Sequence, residues 1–217
     1  MNPLRILALV LAVAAWAPAG AQPNAYANRA DAIRGLGAPD PAHRADAVVW
    51  IAANGTGADA RLLRPRLADE SAMVRELAER GLWILWNRSG DPAIDALMEK
   101  GAAQVQAGEF AEAIAIYSDV VRRKPGFAEG WNRRATAYFL AGDFKRSLAD
   151  CDQVMKRNPH HFGALAGYGQ IHFRLEHYDK AIAYWRRALD ANPNLAGIEE
   201  SIALAAKLLE RKRRDST

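Results

Sequence analysis

His160-His161, His172 and His177 gather in one short stretch, Cys151 stands just ahead of them, and Arg133-Arg134 opens the segment WNRRATAYFLAGDF. Clustered imidazoles could hold a metal ion, a thiol could act as a nucleophile, and adjacent guanidiniums could grip an anion. Spacing argues against the first. Ligands on one helix face stand three or four residues apart, whereas His172 and His177 differ by five, and neighbouring histidines do not easily face one ion. These histidines are therefore expected on loop and helix surfaces. A single cysteine cannot form an intramolecular disulfide, and Cys151 falls at a packing position where a thiol serves as a small hydrophobe. The chain has no G-x-S-x-G elbow, phosphate loop or H-E-x-x-H pair, and Gly35-Leu-Gly37, Gly55-Thr-Gly57 and Gly167-Tyr-Gly169 follow no predicted strand. Asn54-Gly55-Thr56 and Asn87-Arg88-Ser89 match a glycosylation sequon, but turn formation explains both. The sequence thus predicts no catalytic residue, no metal site and no cofactor.

The elements that carry these residues follow a period. Pro125, Pro159 and Pro193 are spaced by 34, as are Gly101, Ala135 and Gly169; Ala113, Ser147 and Ala181; Tyr117, Cys151 and Trp185; and Leu97, Trp131 and Leu165. Such a period marks a stack of supersecondary units. Within each unit, apolar residues recur at three and four, as in Trp131, Ala135 and Tyr138, then Leu148, Cys151 and Val154, which predicts two helices. Gly108 and Gly142 stand where the first helix must end in a left-handed cap, and the prolines close the second. The small residues at 101, 135 and 169 let the paired helix approach closely. This pattern, W...A..Y...GDF..S...C..V....P in the middle unit, resembles the tetratricopeptide repeat. The resemblance covers Ile94 to Leu195 as units 94–127, 128–161 and 162–195, and departs from the pattern at Gln104 and His172, where Tyr138 stands in the middle unit. It implies an all-α, right-handed α-solenoid. Ile198, Ile202, Ala205, Leu208 and Leu209 then form one stripe, so 196–217 is predicted to be a capping helix with a basic tail.

The segment 22–93 lacks the 34-residue columns. Asp40-Pro41 and Asp91-Pro92 each read as a helix cap followed by proline at the first helical position. A spacing of 31 aligns Arg44 with Arg75, Ala47 with Ala78 and Ile51 with Leu82, and "VRELA" resembles HEAT-type repeats, which implies helical hairpins. Trp50, Trp83 and Trp86 are expected in their core.

In a solenoid the first helices of the pairs line the concave side. The stripe turned away from the core is Asn132, Thr136, Phe139 and Leu140; the 34-residue shift adds Met98, Ala102, Val105 and Gln106, then Ala166, Gln170, Phe173 and Arg174. Met98, Phe139 and Phe173 would give an apolar floor, and Asn132, Gln106, Gln170 and Arg174 polar orientation, a surface suited to a peptide or a partner helix. Arg134 is expected to lay its stem on apolar surface with its head in water. By the resemblance, Arg133 occupies the place where cytosolic chaperone-binding members use Asn to hold a peptide carboxylate. Their other clamp positions fall on Met98, Ala102, Gly163 and Gly167, so that clamp is absent, and Arg133 with Arg174 would favour acidic side chains instead.

Half of the 217 residues are apolar and a quarter charged, enough to bury a core. Residues 1–21 differ in kind: Arg5, an apolar run from Ile6 to Trp16, and Ala19-Gly20-Ala21 before Gln22 predict a secretory signal cleaved after Ala21. That run is shorter than the roughly 20 residues of a spanning helix, and no Cys follows it to accept a lipid. The remaining 28 basic and 25 acidic residues give +3, and five of the basic ones, Lys207, Arg211, Lys212, Arg213 and Arg214, lie at the C-terminal end. A mildly basic body is no polycation, and no nucleic acid is expected. The reading is a non-catalytic scaffold for a protein or peptide partner, periplasmic or secreted. The alternative is a binder of an anionic envelope polymer or surface through the basic tail.

Overall fold

Proline after aspartate opens two of the helices of this chain, at Pro41 and at Pro92. A computed structural model describes residues 26–215; the predicted signal lies outside them. Every regular element among the described residues is helical. The chain divides into one unit up to Asp91 and another from Pro92, two residues before the boundary expected from the repeats.

The first unit holds α1 (Arg29–Gly35), α2 (Pro41–Asn54), a single turn α3 (Ala60–Leu63) between two 3-10 turns, and α4 (Ala72–Asn87). Asp40 accepts a hydrogen bond from the Ala42 N–H, and Pro41 follows as the first helical residue. Ala47, Ala78, Ile51 and Leu82 are all buried, so the 31-residue alignment describes a real core face. The correspondence extends to polar groups. Arg44 Nη1 donates to the carbonyls of Ala38 and Pro39 at 2.9 and 2.8 Å, and Arg75 Nη1 to those of Asp69 and Glu70 at 2.9 and 3.0 Å. Each arginine thus gathers the backbone carbonyls of the turn before its helix. Arg44 also makes a bidentate pair with buried Asp69 at 2.7 and 2.9 Å. Burial alone would raise the Asp69 carboxyl, but Arg44 and the Ser71 N–H outweigh it and hold it below the ordinary range. Trp50, Trp83 and Trp86 are half-buried rather than core; Trp83 and Trp86 pack edge to face, 5.4 Å apart, at its rim.

The second unit is three antiparallel pairs and a final helix: α5 (Pro92–Ala107) with α6 (Phe110–Arg123), α7 (Ala128–Leu140) with α8 (Phe144–Arg157), α9 (Phe162–Arg174) with α10 (Tyr178–Ala191), then α11 (Ile198–Arg214). The small column does what its chemistry requires. A Cβ on Gly101 would lie 2.4 Å from the Tyr117 ring, and one on Gly169 would lie 2.3 Å from the Trp185 ring. In the middle pair a methyl, Ala135, faces a small thiol, Cys151. Large rings thus meet bare backbone, and the small partner meets a small one. Gly108 and Gly142 both end their helices at φ +80°; Glu176 stands at the same place in the third pair with φ +57°. Ile198 and Ala205 of α11 join the cluster of Leu165, Trp185 and Ala188, so α11 packs on the third pair.

Candidate functional site

The candidate surface is built on α5, α7 and α9, and its most polar part turns inward. Glu129, in the first turn of α7, is fully buried. Arg133, one turn later, donates from Nε to its Oε1 at 2.7 Å, Asn132 Nδ2 donates to Oε2 at 3.1 Å, and His161 Nε2 lies 2.9 Å from Oε2. His161 precedes α9 and caps it: Nδ1 accepts the Ala164 N–H at 3.1 Å, so Nε2 carries the proton that points at Glu129. Burial would push the Glu129 carboxyl up; Arg133, His161 and Asn132 outweigh it and hold it below its ordinary range. Burial likewise pushes the Tyr117 hydroxyl up to about 12, with Arg133 opposing and Glu129 reinforcing. This cluster joins α7 to the start of α9. It corrects three expectations: Arg133 and Asn132 are buried partners of Glu129 rather than a ligand's, and His161 is a core residue rather than a surface one. The Glu129/Arg133 spacing of four was readable as a helix ion pair; its burial against the next repeat was not.

Arg134 departs from expectation too. Its guanidinium carbon stands 5.0 and 5.7 Å from the ring centroids of Trp131 and Tyr138. Its head, however, is clasped by Asp150 at 2.7 and 2.8 Å and donates to Ser118 Oγ at 3.1 Å. Asp150 and Ser118 sit on α8 and α6, so Arg134 ties three helices instead of reaching water. Trp131 is half-buried, with Arg157 4.8 Å from its ring.

Met98 is also lost from the open floor, buried with Ile94, Tyr117 and Val120. What stays accessible is Gln106, Thr136, Phe139, Gln170, Phe173 and Arg174. Phe173 is half-covered, its ring 5.6 Å from Trp185 and 5.5 Å from Tyr178. Phe139 leans on Phe144 at 5.7 Å, and Arg174 reaches across from α9 to stand 5.9 Å above the Phe139 ring. These residues make a strip of aromatic surface with amide and hydroxyl groups and one exposed cation.

A family model described as tetratricopeptide repeat matches residues 98–154 and 132–196. Residues 98–196 form tetratricopeptide repeats. A TPR repeat-containing protein of Rhizobium etli is 32% identical over 124 residues, 57% of this chain and 61% of that protein. Hsp70-Hsp90 organizing protein 1 of Glycine max is 28% identical over 105 residues, 48% of this chain and 18% of that protein. Among solved structures, the first TPR of Spaghetti (RPAP3) bound to the HSP90 peptide SRMEEVD is 25% identical, with a TM-score of 0.52, over 54% of this chain and 93% of that one. MamA, 16% identical with a TM-score of 0.51, matches 71% of this chain and 85% of its own in fold. The chain thus spans less than two thirds of either of these two sequence relatives.

Around the tetratricopeptide repeats, the tail residues Lys207, Arg211, Lys212, Arg213 and Arg214 are all exposed. Lys212 is nonetheless engaged: Nζ donates to the Glu176 carbonyl at 3.2 Å, lies 3.6 Å from its carboxylate and 5.8 Å from the Tyr178 ring centroid. His172, expected at the surface, is buried and stacks on Tyr184 at 5.4 Å. Burial lowers its pKa, with Lys180 and His177 adding to the shift and Asp179 opposing it. Cys151 is buried as well, which pushes its thiol far up and leaves it inert. Among the described residues no three metal-ligating side chains converge, and no helix is long and apolar enough to cross a membrane.

Proposed function

We propose that this chain is a non-catalytic interaction scaffold of the cell envelope, exported by the signal predicted at 1–21, that binds a peptide or partner helix on the concave face of its repeats. The observation that carries the reading is the accessible strip on the first helices of the pairs: Gln106, Thr136, Phe139, Gln170, Phe173 and Arg174. Apolar anchors beside neutral donors and acceptors suit a protein segment, and the names of the RPAP3 and Hsp70-Hsp90 organizing proteins, with the bound HSP90 peptide, support the class. The partner differs from theirs in this reading, because Met98, Ala102, Gly163 and Gly167 stand at the positions that the family resemblance assigns to the carboxylate clamp. The first unit, with its 31-residue repetition, is read as HEAT-type hairpins.

A second reading rests on the exposed run Arg211 to Arg214 at the C-terminal turn of α11: the tail binds an anionic polymer or surface. The test is capture from a native envelope fraction by the mature chain, by the Phe139→Ala/Arg174→Ala double variant and by a chain truncated after Leu209. The scaffold reading predicts one protein lost only with the double variant. Loss only with the truncation, and steep salt dependence, supports the tail instead. An exported protein whose intact mass retains Met1 contradicts signal cleavage.

A further inference from the structure

Leu204, on α11, is the exposed large apolar side chain of the second unit, 44% accessible. Its neighbours recur at helical spacing: Lys207, Arg211 and Arg214 follow it by three, seven and ten residues, and all are exposed. The four therefore share one face of α11, about 15 Å long. The opposite face is covered, since Ile198, Ser201 and Ala205 are buried, and Ile198 and Ala205 pack with Leu165 and Trp185. Lys212 belongs to that inner side as well. Its Nζ donates to the Glu176 carbonyl and lies 3.6 Å from the Glu176 carboxylate, which pins the last turns of α11 to the end of α9. The basic end is thus a fixed helical face and not a loose tail.

Helix electrostatics explains part of this pattern. Glu199 and Glu200 in the first turn, and the cations of the last turn, each favour the helix dipole. It explains neither Lys207, in the middle of the helix, nor a leucine left in water among cations. Arg211 pairs with Asp215 at 3.7 Å, but both side chains are mostly exposed and such a pair is worth little. Residues 207–214 carry five basic groups and one acidic, whereas the other residues after 21 carry 23 basic and 24 acidic. The molecule is therefore polarised in charge, and a negative surface attracts this end alone.

An anionic polymer would satisfy the cations and leave Leu204 in water. A bilayer satisfies both, because its surface charge meets the cations while the leucine enters the headgroup region and the lysine and arginine stems lie along it. Resting on the second reading above, in which the tail binds an anionic surface, we infer that this surface is an anionic lipid bilayer, met by the outer face of α11 through Leu204, Lys207, Arg211 and Arg214. The contact is peripheral and reversible, and α11 keeps its inner face on the repeats throughout.

The test is cosedimentation of the chain from Gln22 with phosphatidylcholine vesicles, with and without phosphatidylglycerol, beside its binding to soluble polyphosphate. The inference predicts binding only when phosphatidylglycerol is present, with steep salt dependence. Lys207→Gln and Arg211→Gln should each lower the partition coefficient roughly fivefold, and Lys212→Gln should lower it less than either. Leu204→Ser should lower it about threefold at an unchanged thermal midpoint, and Leu204→Phe should raise it. Binding to polyphosphate but not to vesicles, or vesicle binding indifferent to both changes at Leu204, overturns the bilayer and leaves the tail reading intact. Equal losses at Lys207 and Lys212 overturn the oriented face and also leave that reading intact. Binding to neither probe, or binding undiminished by truncation after Leu209, overturns both.

Discussion

Glu129 shows how much one carboxylate can organise when three donors meet it out of water. Replacing it by Gln keeps the shape but leaves the buried Arg133 guanidinium without its anion, and breaking a buried pair in this way costs about 3–5 kcal/mol. Urea unfolding of Glu129→Gln should show that loss; a change under about 1 kcal/mol, the scale of exposed pairs, contradicts the account. The pH dependence has a definite sign. Glu129 and Asp69 titrate below their ordinary range, so their stabilisation is complete above about pH 4.3 and drains away as pH falls through that value toward the folded ones. His172, lowered from 6.5, acts in the same direction at higher pH: its contribution is present above 6.5 and declines as pH drops below it. Thermal midpoints should therefore fall from about pH 6 downward, and His172→Phe should flatten the upper part of the decline. Glu176 is the opposite kind of residue, one at odds with its backbone at φ +57°. Glu176→Gly should stabilise the chain by about 0.5–1 kcal/mol, since its side-chain pair with Lys212 is largely exposed and worth little.

At the scale of elements, the repeat is a rule about paired volumes. Gly169 permits Trp185 to lie against the backbone of α9, as Gly101 permits Tyr117 against α5. An alanine at 169 raises helix propensity, yet its methyl would lie 2.3 Å from the indole, so Gly169→Ala should destabilise by about 1–3 kcal/mol. The middle pair already shows the alternative, Ala135 with Cys151. Combining Gly169→Ala with Trp185→Cys should therefore cost less than the two single changes added together, and strict additivity in the double-mutant cycle contradicts direct coupling. These pairings were legible before the structure because they recur at 34 residues in side-chain size. The 31-residue relation in the first unit was legible in the same way, through Arg44 and Arg75. What periodicity cannot tell is where a polar side chain points once two helices converge on it. His161 and Asp150 come from elements other than α7, and no pattern within that helix announces that they close over Glu129 and Arg134.

For the molecule, the architecture of the repeats was thus largely readable while the candidate surface was readable only in outline. Of the nine groove positions expected, Met98, Asn132 and Arg133 went to the interior, and Gln106, Thr136, Phe139, Gln170, Phe173 and Arg174 remain accessible. The helical wheel places a residue within about one helix face, but an inward and an outward neighbour differ by less than that. In the tail, Lys212 is tied to Glu176, a contact that no spacing announced. These outcomes concentrate the proposed partner surface on α7 and α9. The most direct measurement places a photo-cross-linking amino acid at Gln170 and, in a separate chain, at Lys207, each expressed in the native cell. The account predicts one dominant protein adduct from position 170 that disappears with Phe139→Ala, and none of it from position 207. Adducts at 207 alone, or at 170 unaffected by Phe139→Ala, contradict a groove that recognises its partner.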